Sequence, residues 1–87
     1  MIKIIRFTSS NCAPCKALAP IFDQLKIQYT PRIQFQSIDM DFNKSLAKEK
    51  SINSAPTVII EKNGVEIHRI VGVKPKMSYE TLINSIL

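Results

Sequence analysis

Two cysteines, Cys12 and Cys15, stand two residues apart in the stretch Ser9-Ser10-Asn11-Cys12-Ala13-Pro14-Cys15-Lys16, and the 87-residue sequence has no others. A thiolate attacks a disulfide through a mixed-disulfide intermediate, and a second thiol at this spacing can then release the bound partner. Three other uses compete with that chemistry. A structural staple is disfavoured in a reducing compartment, and so short a loop gives only about 2 kcal/mol of chain-entropy stabilisation. A structural zinc site takes four ligands, whereas the chain offers the two cysteines and His68, which falls on a predicted strand. An inert pair of core cysteines remains open, although it leaves unexplained the cap, the proline and the strand-to-helix context around the pair.

The elements that must position the sulfurs follow from periodicity. Ile2 to Thr8 is a short apolar run rich in β-branched residues, which predicts a central strand covered on both faces. Ser9, Ser10 and Asn11 break it, and Asn11 is the best placed of the three to cap a helix. Pro14 suits the first turn, where its missing amide would have had no partner. The helix is expected to run to Tyr29 with Cys15, Leu18, Ala19, Phe22, Leu25, Lys26 and Tyr29 on its inner stripe. Pro20 should kink it near Lys16 and Ala17, and Pro31 should end the region.

Beyond Pro31, Ile33 to Asp39 alternates as a strand and Asn43 to Lys50 forms a short polar helix with Leu46 and Ala47 inward. A right-handed parallel crossover is the natural arrangement for strand, helix and strand. Thr57 to Glu61 and Val65 to Val71 are expected to make a hairpin about Lys62-Asn63-Gly64, since Asn-Gly supplies the positive φ angles of a tight turn. Tyr79 to Leu87 reads as a closing helix with Leu82, Ile83, Ile86 and Leu87 inward, while Tyr29 and Tyr79 are packing residues. The order β-α-β-α-β-β-α predicts an α/β fold: one domain over residues 1–87, with a mixed four-stranded sheet and helices on both faces.

Composition excludes several roles. With 45% hydrophobic and 22% charged residues, the chain has the apolar surface that a disordered one lacks. The net charge of +5 comes from scattered Lys and Arg with no interleaved aromatics, so nucleic acid is not an expected ligand and acidic partners are. No run approaches the ~20 apolar residues of a membrane span. Met1 to Arg6 lacks the features of a signal peptide, so a cytoplasmic protein is expected.

At the start of a helix, free amides and the dipole stabilise a thiolate on Cys12. Lowering its pKa from ~8.5 to near 7 needs only about 2 kcal/mol. Cys15, one turn in, should be more buried and wait as a thiol.

The chain resembles the thioredoxin family, whose active-site pattern W-C-G-P-C-K stands here as Asn11-Cys12-Ala13-Pro14-Cys15-Lys16. Pro20 matches the family's helix kink, Ser54-Ala55-Pro56-Thr57 its cis-proline loop, and Lys62-Asn63-Gly64 and Gly72 its hairpin turn and late glycine. The resemblance covers essentially the whole chain without the family's N-terminal β-α unit, in the manner of a minimal thioredoxin of glutaredoxin size. It implies that Cys12 attacks, that Cys15 resolves, that Pro56 is cis and faces the disulfide, and that Ala55 offers its backbone to an extended substrate. Asn11, Ala13 and Pro14 would border the same contact.

Three departures stand out: Asn11 replaces a bulky Trp, Arg6 a buried Asp, and Ser37 the Lys that accompanies that Asp. Arg6 therefore has two open roles. Its guanidinium either snorkels to the sheet edge or pairs with Asp39 or Asp41, or it lies near the sulfurs and favours their thiolates. Lys16 solvates the rim or meets acidic partners. The expected function is reduction of protein disulfides by a monomer that needs no bound cofactor. Recycling falls to a thioredoxin-reductase-type flavoprotein or to glutathione. A glutaredoxin-like enzyme is the nearest rival, although Ala13-Pro14 is thioredoxin-like and glutaredoxins favour Pro-Tyr. A thioredoxin-fold binding module with incidental cysteines is the third reading.

Overall fold

The computed structural model describes residues 1–87 and contains β1 (Ile2–Thr8), α1 (Ala13–Tyr29), β2 (Ile33–Asp39), α2 (Lys44–Glu49), β3 (Thr57–Lys62), β4 (Val65–Val71) and α3 (Lys76–Asn84). The strands form one sheet in the order β2-β1-β3-β4. β1 runs parallel to β2, with Arg6 opposite Ser37, and antiparallel to β3, with Arg6 opposite Val58. β3 and β4 are antiparallel with a bulge at Ile60/Glu61.

Side chains of a strand alternate between faces, so β1 serves two cores at once. Ile2 and Ile4 join Leu18, Phe22, Leu25 and Tyr29 of α1 and Tyr79 and Ile83 of α3. Ile5 and Phe7 point the other way, to Ala47 of α2, Ile38 and Ile52. The central, doubly covered strand expected from its apolar run is what forms, with helices on both faces. The α1 stripe buries Cys15, Leu18, Phe22, Leu25 and Tyr29 as its spacing predicts, whereas Lys26 stays exposed and Ala19 is only half-buried. α1 continues unbroken through Pro20. Tyr29 and Tyr79 are packing residues whose buried hydroxyls are satisfied: Tyr29 Oη donates to Asn84 Oδ1 at 3.0 Å, and Tyr79 Oη accepts from the Lys74 amide at 3.2 Å.

Asn63 and Gly64 both take positive φ, 53° and 82°, as the hairpin turn requires. The last helix departs from expectation. It starts at Lys76, because Pro75 fixes φ at −59° just before the first turn, and it ends at Asn84. Leu87 therefore lies beyond the helix and is 51% exposed, not inward. His68 is half-buried on β4.

Leu18 is completely buried between α1 and the sheet. Leu18→Ala is expected to cost about 2–5 kcal/mol, a large part of a small domain's stability, read as a lower midpoint in urea unfolding.

Candidate functional site

The sulfurs sit where β1 ends and α1 begins. Thr8 closes the strand, and the Met40 amide donates to its carbonyl at 2.7 Å, which ties the ends of the two parallel strands together. The chain then turns sharply at Asn11, whose φ is 54°. Asn tolerates this left-handed region better than most residues. Asn11 is therefore the turn and not the cap. Cys12 is extended at φ −122° and takes the cap position, with its Sγ accepting from the Cys15 amide at 3.2 Å. Three polar residues in a row offered a cap, and the geometry of the turn assigned it to the sulfur. Ala13 and Pro14 open the helix and are exposed.

Cys12 and Cys15 form a disulfide with their Cα atoms 5.2 Å apart. Cys15 is 5% exposed, whereas Cys12 is only partly buried. Facing them is the loop before β3. The Ala55–Pro56 bond is cis, as is Thr30–Pro31, and the Ala55 carbonyl oxygen lies 3.6 Å from Cys12 Sγ. Thr57 Oγ1 donates to the Ser54 carbonyl at 2.8 Å, and the Gly72 amide donates to the Pro56 carbonyl at 2.8 Å, so the loop is held from both sides. Ala55 itself is left over: its amide has no hydrogen-bond partner within the chain, and its carbonyl touches only the sulfur. Unpaired backbone of this kind is what an extended peptide pairs with.

A second tie was not visible in the sequence. Asp41 Oδ2 accepts from both the amide and the hydroxyl of Ser10, at 3.0 and 2.6 Å, and so holds the approach to Cys12 against the β2–α2 loop. These bonds favour the ionised carboxylate and lower the Asp41 pKa, the Ser10 hydroxyl being the larger cause. A separation of thirty-one positions between the partners leaves no periodic signal.

Arg6 does not pair with Asp39 or Asp41. Its guanidinium crosses the sheet sideways to Ser37 Oγ, at 2.8 and 3.2 Å, and stacks 4.5 Å over the Phe22 ring, with Asp23 as its neighbouring charge. Partial burial lowers its pKa against the opposing pull of Asp23. Asp39 is already occupied, with its Oδ1 accepting from the Asp41 amide at 2.8 Å. Lys16 is exposed on the first turn of α1.

The two surface clefts, about 550 and 380 Å³, are lined by residues such as Lys3, Lys26 and Gln34, and Arg69, Lys74 and Leu82; neither reaches a cysteine. No His, Cys, Asp and Glu cluster suited to a metal ion is present, and no helix is long and apolar enough to cross a membrane. Cys12 thus lies outside any enclosed cleft, beside unpaired backbone, a shape that meets another chain and not an enclosed small molecule.

A partly exposed sulfur capping a helix, a buried partner one turn in and a cis-proline loop against the first of them define a dithiol-disulfide oxidoreductase. The family model for thioredoxin matches residues 1–85, and the chain belongs to the thioredoxin family. It is 30% identical over 86 residues to a thioredoxin of Staphylococcus epidermidis, covering 99% of this chain and 83% of that protein. A thioredoxin of Staphylococcus aureus is 29% identical over the same span. Among solved structures, one of a malarial protein superposes with a TM-score of 0.93 at 29% identity, covering 100% of this chain and 98% of that one. Mitochondrial thioredoxin 3 from Saccharomyces cerevisiae, in its oxidized form, gives 0.88 at 29% identity, covering 98% and 78%. The chain is accordingly a thiol-disulfide oxidoreductase that acts on protein disulfides.

The Asp41 tie has a measurable signature. A carboxylate whose folded pKa lies below its unfolded value stabilises the fold above the unfolded pKa, and this contribution is lost as pH falls through the folded pKa. Ser10→Ala removes the hydroxyl bond and leaves the amide bond. The Asp41 carboxyl should then titrate at higher pH than in the wild type, by NMR, and the acid limb of stability should flatten correspondingly.

Proposed function

We propose that Cys12 is the attacking thiolate and Cys15 the resolving thiol. The observation that carries this reading is their asymmetry: Cys12 is accessible and receives an amide hydrogen bond at 3.2 Å, whereas Cys15 is 5% exposed. The amide favours negative charge on Cys12 and the Ala55 carbonyl opposes it, so the helix start supplies the net preference. In the reduced protein the Cys12 thiolate attacks one sulfur of a substrate disulfide. A Cys12–substrate bond forms, the substrate bond breaks, and the released sulfur leaves as a thiolate that takes a proton. Cys15 then loses its proton and attacks Cys12 Sγ. The Cys12–Cys15 disulfide forms and the second substrate sulfur departs as a thiol, so that two electrons have passed to the substrate.

Asn11, Ala13, Pro14 and Pro56 border the contact, and the substrate pairs with the free amide and carbonyl of Ala55 as a short strand. Recycling of the oxidised form is by a thioredoxin-reductase-type flavoprotein, or by two glutathione molecules that leave as their disulfide. The protein works as a monomer in the cytoplasm, and its positive charge assists approach to acidic partners.

Insulin-disulfide reduction, driven in parallel by a thioredoxin reductase system and by glutathione with its reductase, tests the reading. Turnover is expected with the first system. Cys12→Ser should abolish it, and Cys15→Ser should accumulate a covalent adduct with insulin, visible by mass spectrometry and released by dithiothreitol. Activity in neither system leaves a binding module.

Arg6 is assigned to bracing α1 against β2, since its Nε and one terminal nitrogen donate to Ser37, its flat face lies on Phe22 and Asp23 is its neighbouring charge. The Cys12 pKa, followed by thiolate absorbance, should be unchanged in Arg6→Ala; a clear rise would give the guanidinium a role at the sulfurs.

A further inference from the structure

We propose that Phe42 is a recognition residue for the substrate protein, binding an apolar side chain of the extended segment that carries the attacked cystine. The proposal rests on the disulfide-exchange reading above. Phe42 is 85% exposed, more than any other large hydrophobic side chain of the molecule, and it stands among polar, exposed neighbours: Asp41, Asn43, Lys44 and Ser45. An aromatic ring is a large apolar surface to leave in water. It is costlier still when the backbone beneath it is fixed and the ring has no route into the core.

The backbone here is fixed. The Phe42 amide donates to the Asp39 carbonyl at 3.3 Å, Asn43 Nδ2 donates to the same carbonyl at 2.8 Å, and the Met40 and Asp41 amides bond Thr8 O and Asp39 Oδ1. The residue preceding Phe42 then reaches across to the active-site turn, where the Asp41 carboxylate holds Ser10 by two bonds. One peptide leads from Asp41 to Phe42 and two lead from Ser10 to Cys12. The loop that carries the ring is thus hydrogen-bonded to the turn that carries the reacting sulfur.

On the helix side of the sulfurs Asn11 is polar and Ala13 and Pro14 are small, while the exposed Val71 and Val73 flank Gly72 at the proline loop. A rigidly held aromatic at such a rim is the residue type that carries binding energy at protein interfaces. A lone ring on a polar loop does not supply the ~800 Å² per partner of a stable dimer, so the occupant is a transient substrate and not a second copy of this chain.

Phe42→Ser and Phe42→Trp test this with two substrates, insulin and bis(2-hydroxyethyl) disulfide. Expected for Phe42→Ser are a KM for insulin raised about tenfold with kcat little changed, and an unaltered rate on the small disulfide; Phe42→Trp restores the insulin KM. An unchanged insulin KM overturns the proposal. So does an equal loss on both substrates, which marks a structural role, or a concentration-dependent dimer in sedimentation that Phe42→Ser abolishes. If the wild type reduces neither substrate, the exchange reading fails first and the proposal falls with it.

Discussion

The bond from the Cys15 amide to Cys12 Sγ is the interaction on which the rest of the structure depends. Every helix begins with amides that lack partners, and most chains give that task to an oxygen of Ser, Thr, Asp or Asn. Giving it to the sulfur makes the start of α1 and the reacting atom one object. When the sulfur carries negative charge, the amide it already holds becomes a stronger partner, so ionisation reinforces the local fold. For this to work the chain must reach Cys12 in an extended conformation, and the left-handed residue before it is what turns the end of β1 onto the helix axis.

That turn is only as precise as the strand behind it. β1 sends Ile2 and Ile4 into one core and Ile5 and Phe7 into the other, and it is hydrogen-bonded on both edges, to β2 and β3. A strand fixed on four sides has one position, and its last residue can act as a datum for a short loop. The facing side is built the same way: β3 is buried from Thr57 to Ile60, and the Ala55-Pro56 loop hangs from its first residue. The two halves of the site are therefore the ends of neighbouring central strands, and sheet geometry sets the separation between sulfur and proline loop.

Most of this framework was legible in the sequence because it rests on periodicity and turn chemistry. Leu18, Phe22, Leu25 and Tyr29 repeat at helical spacing, the apolar run at Ile2 to Phe7 marks a doubly covered strand, and Asn63-Gly64 marks the hairpin. What escaped has a common cause, the long-range placement of polar groups. The choice of cap among Ser9, Ser10, Asn11 and Cys12 depended on where β1 ends in space. The Arg6 side chain is long enough to reach several neighbours, and the sheet register, which sets Ser37 opposite it, decided which. Asp41 meets Ser10 only because β1 and β2 run parallel and finish side by side. The start of α3 was legible in principle, since Pro75 fixes the backbone before the first turn, but the apolar pattern alone pointed further along.

An open redox site gains reach and loses selectivity, because backbone pairing is indifferent to sequence and a disulfide looks alike in every protein. Discrimination then has to come from side chains at the rim. In this chain the polar tie between Ser10 and Asp41 anchors the rim, and the exposed ring of Phe42 is the apolar group that the anchored loop presents. Such a division of labour lets the two functions vary separately. The sulfurs, their amide and the proline loop are constrained together by the helix start and the sheet, whereas the β2–α2 loop can change its presented side chain without moving either sulfur, provided that the Asp41 carboxylate continues to hold Ser10.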